Sequence, residues 1–102
     1  MADEAVFVVV EVLSVEDPAG FQRYVREASA LIGARGGELV GRGSKPVDDE
    51  PGFGPLVIQR WRSEIALRAW FESDAYQPLN ALRQASAKMR VTIVPSLAVS
   101  GS

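Results

Sequence analysis

Cysteine and histidine are both absent from the 102 residues. Without cysteine there is no disulfide framework, no thiolate zinc site and no thiol nucleophile. Without histidine, His-ligated haem and Ser-His-Asp hydrolysis are excluded. A dominant charge is lacking too, since 11 basic against 13 acidic residues leave a net −2. No basic field is available to draw nucleic acid or an anionic membrane surface. No apolar run approaches the roughly 18 residues of a spanning helix. The most apolar stretch, Val6–Val10, follows Asp3 and Glu4, where a secretory signal carries positive charge. The expectation is a cytoplasmic protein with no membrane or nucleic-acid partner and no metal or cofactor.

What remains is 47% hydrophobic and 24% charged, the composition of one domain over residues 1–102. Ala5–Leu13 is β-branched and free of Gly and Pro, which predicts a strand buried on both faces. Asp17 and Pro18 then supply an N-cap and a first helical residue. Phe21, Tyr24, Val25, Ala28, Leu31 and Ile32 recur at steps of three and four, an amphipathic stripe. Gly33, Gly36 and Gly37 are expected to stop that helix. Glu38–Gly43 reads as a weaker strand suited to an edge, and Ser44–Gly54 as a long loop. Leu56–Trp61 is the third strand, and Ser63 caps a helix through Phe71. Ser73 and Asp74 offer a fresh cap for a helical stretch to about Ala87, with Pro78 inside its first turn or so. Val91–Val99 is the fourth strand, and Pro95 makes it an edge.

The order β-α-β-β-α-β, with its second helical region split, predicts the α+β ferredoxin-like plait. This is a four-stranded antiparallel sheet with helices on one face, in the order fourth-first-third-second. Helices cover one side only, yet both sides are apolar. Val6, Val8, Val10 and Val12 alternate with Phe7, Val9, Glu11 and Leu13. On the third strand Val57, Gln59 and Trp61 alternate with Leu56, Ile58 and Arg60. A solvated face would alternate to polar residues. An uncovered apolar patch of several hundred Å² favours association, so the expected partner is a second copy, sheet against sheet. Glu11 and Arg60, both on central strands, are expected to pair with each other or with that partner.

Tyr76 and Arg83 lie two helical turns apart and so share a face. With Trp70 and Tyr24 they form a candidate cleft between helices and sheet, the aromatics as walls and Arg83 as an anion hook. The competing expectation makes the aromatics core and pairs Arg83 with Asp74 or Glu72. Asp48-Asp49-Glu50 lacks the ligand spacing of a cation loop and reads as solvated. The glycines at 33–37 and 41–43 do not stand between a strand and a helix N-terminus, as a phosphate loop requires. RNA-recognition domains share the topology but need stacking aromatics and a basic rim, which Leu56–Trp61 and the valine-rich first strand do not supply.

Ser73-Asp-Ala-Tyr-Gln-Pro-Leu-Asn-Ala-Leu-Arg83 resembles the Ser-x-x-Tyr-Gln-x-Leu-x-x-x-Arg segment of a small bacterial family, domain of unknown function 1330, within the dimeric α/β-barrel superfamily. Ser63-Glu-Ile-Ala66, Trp70, Tyr24, Gly36-Gly37 and Asp17-Pro18 match the same family. Arg60 stands where members usually carry an acidic residue, and Pro55 where a basic one is common. The resemblance implies the plait and a face-to-face homodimer, and its matched positions make Tyr24, Trp70, Ser73, Tyr76 and Arg83 the candidate substrate-binding residues. It assigns no catalytic residue and no reaction. The expectation is therefore a homodimeric module that binds a small organic molecule. One alternative is cofactor-independent monooxygenation or isomerisation of an aromatic or polyketide-like compound, with a base such as Glu11 and a donor such as Arg83 or Tyr76. The other is an interaction module with no ligand.

Overall fold

A computed structural model describes residues 4–49 and 51–97. The chain runs β1 (Val6–Val15), α1 (Pro18–Ala34), β2 (Glu38–Arg42), β3 (Leu56–Trp61), α2 (Glu64–Phe71), α3 (Gln77–Ser86) and β4 (Ala87–Pro95). The strands form one sheet in the order β2-β3-β1-β4, every neighbour antiparallel. The Gly- and Pro-free strands are central and the other two are edges, as the plait requires.

Local chemistry starts the first two helices where the sequence predicts. The Asp17 carboxylate accepts from Gly20 N at 3.2 Å and Pro18 opens α1. Ser63 Oγ accepts from Ala66 N at 3.1 Å and opens α2. Gly33 does not stop α1, which runs on to Ala34. The turn is made by Gly36, at φ +93°, a conformation that costs other residues the clash of a Cβ.

Two boundaries differ from expectation. α3 begins at Gln77, not after Ser73, and residues 72–76 form a turn. Starting at Ser73 or Asp74 would put Pro78 beyond the first turn, where a donor is needed and its ring meets the preceding carbonyls. β4 begins at Ala87, four residues before the apolar run, because β1 extends to Val15 and pairs with it throughout. Pro95 ends the strand, so the expected continuation fails at Ser96 and Leu97, and residues 98–99 of it lie outside the described residues.

The helices cover one face. Val6, Val8, Trp61, Ile32, Leu67 and Leu79 are buried together there. The opposite face, with Phe7, Val9, Leu56, Ile58 and Val94, is left without a helix layer. Glu11 and Arg60 share that face but do not pair with each other. Register sets Arg60 against Phe7 and Glu11 against Leu56, four residues apart along the ladder, which is about 13 Å. Instead Arg60 reaches Glu38 on β2 at 3.2 Å. Glu11 accepts from Arg90 Nη1 at 3.4 Å and from Gly54 N at 3.2 Å, tying down the end of the 43–55 loop. Asp48 and Asp49 are exposed in that loop, Glu50 lies outside the described residues, and the described residues form no cluster of three or more acidic groups that could hold a metal.

Candidate functional site

A cavity of about 190 Å³ lies between the helix layer and the sheet. Its floor is β1, β3 and β4, through Val8, Val10, Gln59, Val91 and Ile93. Tyr24 of α1, Trp70 and Phe71 of α2, and Tyr76 and Arg83 at and within α3 form the walls. Four of the five candidates thus meet at one place. Each is carried there by helical spacing: Tyr24 by the stripe of α1, Trp70 by the last turn of α2, Tyr76 and Arg83 by their common face. Ser73 does not line the cavity. Its Oγ donates to Trp70 O at 2.6 Å and accepts from Tyr76 N at 3.3 Å, so it shapes the turn that sets both aromatics.

The walls are an aromatic cluster. The Trp70 and Tyr76 rings are 4.4 Å apart, Phe71 and Tyr76 5.0 Å, and Trp61 stacks on Trp70 at 5.4 Å from below. Such pairs add about 0.5–1.5 kcal/mol beyond the area they bury. Tyr24 and Tyr76 join hydroxyl to hydroxyl at 2.9 Å. Burial pushes the Tyr24 hydroxyl well above the ordinary tyrosine range, and Tyr76 adds to the effect while Arg83 opposes it.

Arg83 does not pair with Asp74 or Glu72. Its Nη2 donates to Asn80 Oδ1 at 2.8 Å and its guanidinium lies 5.9 Å from the centre of the Phe71 ring. Neither contact neutralises the cation. Its Nε and the Trp70 Nε1 are both buried without an acceptor, and each such orphan costs about 1–3 kcal/mol.

Gln59 and Phe71 are lining residues that the motif comparison missed. The signal for Gln59 was present: strand alternation sets it inward between Val57 and Trp61, a polar side chain on a hydrocarbon face. Glu11, the base named for the enzymatic alternative, is on the opposite face of the sheet, and among the described residues no carboxylate lines the cavity.

Several solved structures share this fold. A protein of unknown function from Rhodopseudomonas palustris aligns with TM-score 0.75 at 15% identity, covering 94% of this chain and 85% of its own. SnoaB, a cofactor-independent oxygenase from Streptomyces nogalater, aligns with TM-score 0.65 at 19% identity, over 99% of this chain and 100% of its own. A dabb family protein with a ferredoxin-like fold from Mesorhizobium loti aligns with TM-score 0.63 at 10% identity, over 93% and 99%. Likeness at these identities speaks to fold alone. No curated protein matches the sequence. The family profile described as Domain of unknown function (DUF1330) matches residues 5–97, nearly the whole chain, and the protein belongs to that family.

Proposed function

We propose that the protein is a homodimeric small-molecule-binding module, with the two open sheet faces packed together and one small organic ligand held in each helix–sheet cavity. The observation that carries the ligand half is the convergence of Tyr24, Trp70, Tyr76 and Arg83 on one cavity of about 190 Å³. Concave, mostly apolar sites with a few converging polar groups are the usual form of small-molecule sites. The Arg83 cation, with no carboxylate beside it among the described lining residues, is unfavourable in a plain core and is what an anionic ligand would satisfy. The open face supports the dimer half, because Phe7, Val9, Leu56, Ile58 and Val94 make a contiguous apolar patch across three strands. The test is a thermal-shift screen of small aromatic and carboxylate compounds against the purified protein and Arg83→Ala. Compounds that raise the melting temperature of the wild type and not of the variant support the site. A screen in which nothing responds, with Arg83→Ala merely less stable, favours the module without a ligand.

The enzymatic reading is second. A cofactor-independent oxygenase adopts the same fold, and the part-buried Tyr24–Tyr76 pair beside Arg83 offers an ordered proton-carrying contact. The cavity's lack of a carboxylate means that any proton abstraction there would fall to a tyrosine or to the substrate's own acidity.

A further inference from the structure

On the helix-facing side of β1, β3 and β4, the positions bordering the cavity are hydrocarbon except one. Val8, Val10, Val91 and Ile93 are joined there by Gln59. Gln59 is on a central strand, paired with Val8, and only 7% exposed. Burying a side-chain amide is unfavourable unless both of its ends find partners. Gln59 finds one, as its Oε1 accepts from Trp61 Nε1 at 2.9 Å. An indole N–H only donates, so it decides which end of the amide faces it. The other end, Nε2, keeps its two N–H donors and meets no acceptor among the described residues.

The rest of the cavity has the same sense. Arg83, on its wall, carries only donors, and its Nε and the Trp70 Nε1 are enclosed by the protein without acceptors. Arg68 is matched by Glu64, which leaves Arg83 as the uncompensated charge. The tyrosine hydroxyls are bonded to each other, and the one side-chain carbonyl is spent on Trp61.

We propose that Gln59 is a specificity-determining residue, locked as a donor by Trp61, which together with Arg83 selects a small planar molecule whose polar groups are acceptor oxygens and which binds as an oxyanion: a carboxylate, phenolate or enolate. The proposal rests on the small-molecule reading above and deepens it. Amines and ammonium ions are rejected because their N–H groups would face donors, leaving both sides unpaired.

The probe is para-nitrophenol, whose phenol and phenolate absorb at different wavelengths, with para-nitroanisole as the neutral counterpart of similar shape. The wild-type protein is expected to bind the phenolate at least about tenfold more tightly than the anisole, the scale of one charge-assisted hydrogen bond. Gln59→Glu keeps the size and the acceptor for Trp61 but turns the donor into a carboxylate. It is expected to weaken phenolate binding about 100-fold while changing anisole binding less than about threefold. Gln59→Met, which keeps the volume and removes the donors, serves if the glutamate variant fails to fold, with a loss of about tenfold expected. Equal wild-type affinity for phenolate and anisole overturns the proposal and leaves the small-molecule site standing. Unchanged phenolate binding in the folded variant overturns it as well. Binding of neither probe at millimolar concentration overturns both the proposal and the reading beneath it.

Discussion

Tyr24 and Tyr76 touch hydroxyl to hydroxyl at 2.9 Å across 52 residues of chain, and their rings meet edge to face at 68°. This contact joins α1 to the turn that opens α3 and forms one wall of the cavity. Tyr76 is only 1% exposed, so its hydroxyl depends on Tyr24 for a partner. Burial and the neighbouring Tyr76 hold the Tyr24 hydroxyl protonated well beyond the ordinary tyrosine range, with Arg83 pulling the other way.

That shift predicts an alkaline loss of stability. The folded state keeps the Tyr24 proton at pH values where the unfolded chain, with tyrosine near ~10, has released it. More protons are then bound folded than unfolded, and stability falls as pH rises. Below the unfolded value both states hold the proton and stability is independent of this group. Melting curves from neutral pH to beyond the tyrosine range should therefore decline more steeply for wild type than for Tyr24→Phe. At neutral pH the variant should be less stable by about 1–3 kcal/mol, because the buried Tyr76 hydroxyl loses its partner. Parallel declines for the two proteins would refute the assignment.

Val9 occupies the middle of the open face, between Ile58 on β3 and Thr92 on β4. A lysine there leaves the helix-side core untouched and places a charge in the expected dimer interface. Val9→Lys should keep a native far-UV spectrum and sediment as a single 11.0 kDa chain, whereas the wild type should sediment at twice that mass. A wild type that is monomeric at micromolar concentration removes the homodimer from the proposed function.

Glu11 clamps the 43–55 loop and lies away from the helix-side cavity. Its side chain is 14% exposed, and its carboxylate accepts from Gly54 N and Arg90 Nη1. Glu11→Ala should cost about 1.5–3 kcal/mol, the range for hydrogen bonds to a charged group. It should also loosen the 43–55 loop, read as faster chymotrypsin cleavage after the exposed Phe53. Unchanged cleavage would show that Glu11 does not hold the loop.

Features that were legible in the sequence are those decided locally or by strand alternation. The Asp17–Pro18 and Ser63 caps need only their own neighbours, and the valines of β1 announce a strand with two apolar faces. The Glu11–Arg60 pair failed because register, a property of two strands together, separates the two charges along the ladder. The start of α3 was not legible because Ser73 carries a cap signal of its own, while Pro78 requires a later start that keeps it in the first turn. In the site, helical spacing was enough to gather Tyr24, Trp70, Tyr76 and Arg83. Gln59 escaped because its meaning lies in a bond to Trp61, two positions away on the same strand face, and in a cavity that exists only once α2 and α3 close over the sheet.

Gly37 ties the fold to the site through Trp61. A Cβ at this buried position would stand 2.7 Å from Cε2 and Cζ2 of the Trp61 ring and 2.8 Å from Ile32 Cγ2. Trp61 has no room to yield, being fully buried, stacked on Trp70 and bonded to Gln59. Gly37→Ala should therefore destabilise the protein by about 1–3 kcal/mol, the cost of overpacking a filled core. For a domain of this size each kcal/mol lowers the melting temperature by about 4–8 °C. Because the displaced ring holds the Gln59 amide, the near-UV signal of the stacked tryptophans should change together with ligand affinity, whereas a substitution at the exposed Gly33 should change neither. A Gly37→Ala protein with wild-type melting temperature and wild-type near-UV spectrum would show that the Trp61 ring is free to move, and that the amide above it is not locked.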